Sequence, residues 1–519
     1  SCSLVGSEMC IRDRDKMNRT KKFLYNSMST ALYQAIVMIA GFITPRFMLV
    51  HYGSEINGLV SSINQFITYF NLVEAGLGSA AVYSLYKPLA DNNHKRINAI
   101  VSAAKHFYYV SGAIFAILVV VLAAVYPSFA KVENMPYVII SLLVIALSSK
   151  SFLNFFSLAK YRVILTADQK TYVISLASTI HIILNTLVIV VLSIKNVNVL
   201  ILYIVAIIPL VVRTVILAFY VKKNYKYLSY NERPDNSALD KRWDALFLQI
   251  VQAVQVGAPT VIATVFTSLK TVSVYSIFNM VMNGINSLLN IFQNGLSASF
   301  GDLIARKEQK KLQKAYSEFE YAYYHLIFII YTVAAVMLQF FVNIYTSKVT
   351  DVNYNQPLLA ILFVVNGLLY NIKTPQGMLV ISAGLYKETR WQSLTQALIA
   401  VILGILLAIP FGLYGIMIAL SLSNLYRVID LLFFIPKNIT HMKVSESAVR
   451  IIRLLVVSVI CFVPSLFIKV AVSNFIIWAV YAIIYTIFIA LALTIESLLF
   501  DRECLFSLIS RIKNTIKSK

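Results

Sequence analysis

Long apolar stretches, each closed by a short polar or basic gap, recur along the chain from Leu24 nearly to its last residues. A membrane-crossing helix needs about 20 mainly apolar residues. Stretches of that kind cover 24–50, 56–83, 101–125, 137–158, 171–194 and 199–220, then 245–268, 274–300, 319–346, 357–381, 392–411, 413–435, 451–470 and 474–500. The pattern predicts an all-α integral membrane protein with fourteen transmembrane helices and nothing left over for a soluble domain. The shortest gap is at Gly412.

Composition agrees: of 519 residues, 59% are hydrophobic and 13% charged, with mean hydropathy +0.75. The basic residues alternate in step with fourteen crossings. Arg19, Lys21 and Lys22, then Lys95 and Arg96, then Lys222 to Arg242, Arg306 to Lys314, and Arg511 to Lys519 fall on one side. The opposite gaps hold little beyond Lys131, Lys195, Lys270, Lys348 and Lys469. Lys and Arg concentrate in cytoplasmic loops, so both termini are expected in the cytoplasm. The net charge of +22 is mainly this topology signal, with attraction to anionic membrane lipids, and does not point to nucleic acid. Cys2, Cys10, Cys461 and Cys504 form neither a disulfide framework nor a metal-ligand pattern. With no phosphate-binding loop and no acid/base or nucleophile constellation, the residues predict no enzyme, no catalytic or metal site and no cofactor. Any transport is expected to draw on a gradient.

Residues 1–16 are polar and irregular ahead of Met17 and read as a non-native leader. Beyond them lies an internal repeat. Asn71-Leu-Val-Glu74-Ala-Gly76-Leu-Gly-Ser-Ala80 parallels Asn290-Ile-Phe-Gln293-Asn-Gly295-Leu-Ser-Ala-Ser299 at an offset of 219, which also aligns Asn64 with Asn283. Pro45 and Pro259 precede the two copies. Six helices separate them, an even number, so the copies cross in the same direction. This arithmetic predicts two parallel six-helix lobes, 17–235 and 236–440, followed by two further helices and a basic tail at 441–519.

Five cations lie within the apolar stretches: Arg46, Lys150, Arg213, Lys373 and Arg427. A cation in hydrocarbon is costly, so each is a candidate for a path, a pair or a bound ligand. Lys373 lies deeper and Arg46 near the outer end of the first segment, where it could snorkel outward, whereas Lys150, Arg213 and Arg427 are near enough to the cytoplasmic end to snorkel there. Asn64 and Asn283 are polar candidates on the repeated helices, though Asn also serves as glue between helices. Glu74, whose repeat counterpart is the neutral Gln293, is the acidic candidate, as a coupling group for protons or sodium or as a partner for a cation such as Arg46 or Lys373. His181 reads as packing, and Asp430 as an intrahelical partner of Arg427.

The stretches Arg46-Phe-Met-Leu-Val-His-Tyr-Gly53-Ser-Glu55-Ile-Asn-Gly58-Leu59, Glu74-Ala-Gly-Leu-Gly, Val274-Tyr275-Ser-Ile-Phe-Asn-Met, Ser297-Ala-Ser-Phe300-Gly301-Asp302-Leu-Ile-Ala305, and Lys373-Thr-Pro375 with Ala383-Gly384-Leu-Tyr-Lys387 carry a resemblance. From Met17 onward the chain is similar to polysaccharide flippases, the capsule and O-antigen (Wzx-type) branch of the multidrug, oligosaccharidyl-lipid and polysaccharide (MOP) exporter superfamily. The resemblance implies a MATE-like MOP fold in the bacterial cell membrane. It also implies transfer of an undecaprenyl-pyrophosphate-linked oligosaccharide from the cytoplasmic to the outer leaflet by alternating access. A polysaccharide polymerase and glycosyltransferases would be its partners. The isolated cations would then meet pyrophosphate, Arg bidentately and Lys as a point charge. A cation-coupled multidrug antiporter and a peptidoglycan-precursor flippase of the same superfamily are the alternatives. A membrane-embedded polymerase fits less well, because no long outer loop is available for its chemistry.

Overall fold

Hydrocarbon offers the backbone no water, so a spanning segment must satisfy its own N–H and C=O groups, and a helix does so within one segment. The computed structural model describes residues 19–74, 77–130, 132–133, 135–230, 232, 242–467, 472–507 and 510, with only the backbone path for 19–21, 23, 77, 79, 157–160, 242–248 and 291–298. The leader assigned to 1–16, the basic tail past 510 and most of 231–241 lie outside the described residues. Among the described residues there is no strand.

The helices are α1 Arg19–Phe70, α2 Leu77–Ala90, α3 His94–Phe129, α4 Tyr137–Leu153, α5 Ala159–Ala167, α6 Thr171–Ile194, α7 Val199–Val205 and α8 Ile208–Asn224. They continue with α9 Arg242–Phe266, α10 Leu269–Ala305, α11 Gln309–Tyr345, α12 Pro357–Ile372, α13 Thr374–Ala383, α14 Arg390–Ile435, α15 Val444–Ser465 and α16 Phe475–Phe500. Eleven spans among the described residues are long and apolar enough to cross a membrane. Two of these, Leu24–Glu74 and Arg390–Thr440, run 51 residues each, the first carrying segment 24–50 and most of 56–83 and the second both 392–411 and 413–435, with non-helical kinks at Gly53 (φ 80°) and Gly412 (φ 54°). The 37-residue α10 carries the predicted segment 274–300. Among the described residues, each of the fourteen predicted segments therefore falls mostly on helix.

Several segments break where periodicity alone sees one run. The segment 56–83 is interrupted by a 3₁₀ turn at Asn71–Glu74, and 199–220 stops at Val205 and restarts at Ile208, just before Pro209. The segment 357–381 breaks at Lys373, ahead of Pro375, and α4 runs into a π turn at Asn154–Leu158. Proline lacks the N–H that continues a helix, and apolar residues on both sides hide the break from a hydropathy window. By contrast Pro45, Pro127 and Pro259 remain inside helices.

Packing groups the described residues into two compact units, one made of those through Tyr52 with those of Phe66–Ile250, the other of Gly53–Gln65 with those from Val251 on. In the first, buried Tyr108, Phe115 and Tyr126 of α3 form part of the core, with Phe115 5.2 Å from Phe155 between ring centroids. The second contains α15 and α16 as well as α9 from Val251 on and α10 to α14. Helix α16 has an apolar outer face, with Ile476, Ile483, Ile487 and Leu491 exposed, while Glu496 and Ser497 are buried. This inside-out arrangement suits a lipid solvent, where polar side chains hold helices together.

The turn at Gly53 is built for its position. A positive φ costs glycine little, and the following Ser54 donates its N–H to Asp351 Oδ2 (2.7 Å) and its hydroxyl to Oδ1 (2.8 Å), so an acid from the α11–α12 loop caps the resumed helix. Gly58 then lies so close to α10 that a Cβ there would sit 1.8 Å from the Leu269 carbonyl oxygen. Backbone contact of this kind is what small residues permit between membrane helices.

In the first unit, Asp168 between α5 and α6 gathers Lys170 Nζ (2.8 Å), Lys22 Nζ (3.3 Å) and the Tyr225 hydroxyl, which donates at 2.6 Å. Burial pushes its carboxyl up, but the hydrogen bonds from Lys170 and Tyr225 and the two lysine charges outweigh that and hold it below its ordinary value. A depressed carboxyl contributes stability above its unfolded value near 3.9 and loses it as pH falls through the folded value. Asp168→Asn should therefore lower stability by about 1–3 kcal/mol at pH 7. The gap from wild type should narrow below about pH 4, as the wild-type carboxyl protonates. Thermal unfolding of both proteins between pH 7 and pH 3 checks this, and a gap independent of pH would exclude the ionic role.

Candidate functional site

Each unit assembles a cluster around the cations of the sequence analysis. In the first, Lys150 near the end of α4, His181 on α6 and Arg213 on α8 come close enough for their charges to interact, and Arg162 of α5 also acts on Arg213. His181 is buried, Arg213 half-buried and Lys150 exposed. Among the described residues neither Lys150 nor Arg213 has a carboxylate within ion-pair distance, and Arg213 Nε is buried without a hydrogen-bond partner. Like charges held together in a poor dielectric repel each other unless an anion joins them. His181, read from sequence as packing, thus stands beside two cations.

Glu74 has the cation Arg162 beside it in the first unit. It closes the 3₁₀ turn after α1, and its Oε1 lies 3.7 Å from Arg162 Nη2 on α5, which packs beside α2. The helix break at Asn71–Glu74 ends the regular face of α1 at this residue and turns the chain toward α2. Only the backbone is described at its repeat counterpart, Gln293.

In the second unit the break between α12 and α13 puts Lys373 at the junction. Its Nζ donates to Asn424 Oδ1 at 2.8 Å and lies 4.8 Å from the Tyr370 ring centroid. Asn424 also accepts from Gln396 Nε2 (3.0 Å) and donates to Asn366 Oδ1 (2.9 Å). Lys373 is thus held by neutral groups, with the charge of Arg427 near enough to act on it. Arg427 itself is paired with Asp430 three residues on, as the spacing predicts, and is 7% exposed. A second network centres on buried Asn371, which accepts from the Tyr323 hydroxyl (3.0 Å) and donates to Asn286 Oδ1 (2.9 Å) and to the Gly367 carbonyl (2.9 Å).

Of the remaining candidates, Arg46 is half-buried, one residue past Pro45 in α1, while Asn64 and Asn283 are exposed. Sequence reasoning missed Arg162, Asn424 and Gln396. Arg162 falls just beyond a predicted span, and Asn424 sits in one of the most apolar stretches, where its presence was the available signal. It also missed an ionic network in the second unit joining Glu320, Arg450, Arg453, Glu496 and Asp501. Among the described residues no group of His, Cys, Asp or Glu is arranged to hold a metal ion.

No protein-family model matches the chain, and no curated protein matches it in sequence. Solved structures do match. A structure of the lipid II flippase MurJ in an inward closed conformation aligns at TM-score 0.70 with 14% identity, covering 92% of this chain and 99% of that one. An inward-facing multidrug resistance MATE family transporter of the MOP superfamily aligns at 0.66 with 13% identity, over 81% of this chain and 96% of that one. A MOP superfamily transporter from Pyrococcus furiosus, described as having a binding pocket of reverse polarity, aligns at 0.53 with 12% identity, over 84% and 96%. At such identities the likeness is one of architecture: this all-helical membrane chain has the fold of the MOP superfamily transporters.

Proposed function

We propose that this protein is a flippase for a lipid-linked oligosaccharide carried on pyrophosphate, of the undecaprenyl type, moving it between leaflets of a bacterial cell membrane by alternating access for polysaccharide assembly. Both termini lie in the cytoplasm, and a proton or sodium gradient drives the cycle. One observation carries the reading: Lys150, Arg213 and Lys373 meet no carboxylate among the described residues, whereas Glu74, Asp430, Glu320 and Glu496 each lie against an arginine. The unspent charge is positive. A pyrophosphate supplies the missing anion, and Arg and Lys are the side chains suited to receive it.

The same observation argues against export of cationic drugs, which calls for free acids. Transfer of a peptidoglycan precursor uses the same phosphate chemistry and is separated by cargo. Deleting the gene in its host and identifying the lipid-linked saccharide that accumulates on the cytoplasmic leaflet decides between them. Accumulation of an undecaprenyl-pyrophosphate oligosaccharide, cleared by restoring the gene, is expected. Accumulation of a peptide-bearing precursor would favour the second flippase reading, and drug sensitivity with normal surface polysaccharide would overturn both.

A further inference from the structure

A cavity of about 570 Å³ in the first unit lies outside the Lys150–Arg213 pair and is lined by Gly78, Tyr83 and Tyr86 of α2 and by Arg162, Val163 and Thr166 on the α5 side. Its size falls within the roughly 300–1,000 Å³ typical of small-molecule sites, and its wall has their usual make-up, apolar and aromatic with a few placed polar groups. Arg162 is oriented by Glu74 at 3.7 Å yet remains 48% exposed, so its guanidinium is positioned and still reachable. The floor is open because Gly78 has no side chain. A Cβ there would already stand 3.6 Å from Arg162 Nη2 and 3.5 Å from the Tyr108 hydroxyl, and anything longer would cover the cation.

Across the cavity, Tyr83 and Tyr86 are 71% and 50% exposed, with ring centroids 6.3 Å apart and planes at 79°. One ring presents a face where the other presents an edge. Aromatic faces are electron-rich and attract the partly positive C–H groups along one side of a sugar ring, while the hydroxyl at the ring tip bonds to polar groups. A guanidinium meets phosphate oxygens in a planar fork. Lys87, Lys95 and Arg96, next along the chain, mark this end as the expected cytoplasmic one. The charge of Arg162 also reaches Arg213, so the cavity adjoins the cation pair.

We propose that this cavity is a saccharide subsite, in which the phosphate-proximal sugar of the cargo stacks on Tyr83 and Tyr86 while Arg162 receives the phosphate. The assignment rests on the flippase reading and adds to it a place where sugar, as distinct from phosphate, is recognised.

The test uses the full chain in phosphatidylcholine nanodiscs and two probes, farnesyl-pyrophosphate-linked N-acetylglucosamine and farnesyl pyrophosphate, with binding measured by calorimetry. Tyr83→Ala and Tyr86→Ala should each weaken the sugar-bearing probe about three- to tenfold and leave the bare pyrophosphate unchanged. The Tyr→Phe variants should retain most of the binding, and Arg162→Gln should weaken both probes roughly tenfold. Equal losses for both probes in the alanine variants, or wild-type binding of the sugar probe in them, would overturn the subsite and leave the flippase reading in place. A nanodisc arm containing phosphatidylglycerol separates the sources of phosphate: if that lipid displaces both probes through Arg162 and the tyrosine variants change its binding too, the cavity is a lipid headgroup site. If neither probe binds wild type, the flippase reading itself fails.

Discussion

Arg450→Ala should destabilise the second unit by about 3–5 kcal/mol, because among the described residues it removes the one guanidinium bonded to Glu320, a carboxylate that is almost wholly buried. Arg450 Nη1 donates to Glu320 Oε2 at 3.1 Å and Nη2 to Asp501 Oδ1 at 3.1 Å. Glu320 is 1% exposed and also accepts from the Tyr316 hydroxyl (2.9 Å), the Ser447 hydroxyl (2.8 Å) and Gln376 Nε2 (3.3 Å). Asp501 in turn pairs with Arg453, which lies 3.2 Å from Glu496. The network therefore pins α15 and the end of α16 to α11. Removing one partner leaves a buried charge uncompensated, which costs more than the pair contributed. A double variant, Arg450→Met with Glu320→Gln, should recover most of the loss, since both charges then go together. Thermal unfolding of the purified protein, with membrane abundance alongside, reads all three proteins. A single variant as stable as wild type would show the network to be ornamental, and a double variant worse than the single would exclude the charge mechanism.

That network also shows where sequence stops informing structure. The fourteen apolar runs were legible because each is long enough to cross, and the turns at Gly53 and Gly412 because each falls in the gap between two runs. Arg427 and Asp430 were legible as well, since their partnership is set by helical spacing. Arg450, Glu320 and Asp501 were not, because each lies at or just past the edge of an apolar run, where a charged residue is as easily read as facing water. Their partnership spans 130 and 51 positions. The neighbour Arg162 of Glu74 was not legible for a related reason: the helix break at Asn71–Glu74 carries no proline to announce it. The cations of the candidate site were found by their cost in hydrocarbon, but their division into compensated Arg427 and uncompensated Lys150, Arg213 and Lys373 needed the partners' coordinates.

Lys373→Ala should reduce flipping of a lipid-linked pyrophosphate by roughly 10- to 100-fold while leaving the protein folded. The magnitude is that of one charge-assisted hydrogen bond to phosphate, about 1.5–3 kcal/mol. Folding should survive because the side chain is not part of a closed ion pair. Asn424 keeps Gln396 as a donor and Asn366 as an acceptor once the lysine is gone. The junction itself rests on Pro375 and on the Gly377 N–H donating to the Lys373 carbonyl at 2.9 Å, neither of which needs the ammonium. Lys373→Arg should preserve part of the activity, since charge is kept but the fork replaces a point donor facing a single amide oxygen. Lys373→Gln should behave like alanine, because it can bond Asn424 but brings no charge. Proteoliposomes loaded with a fluorescent pyrophosphate-linked saccharide give the rates, and thermal unfolding of the same preparations gives the fold. Wild-type flipping by the alanine and glutamine variants would remove Lys373 from the cargo path and leave it a helix-junction residue. Loss of flipping in parallel with loss of thermal stability would assign it to the scaffold instead.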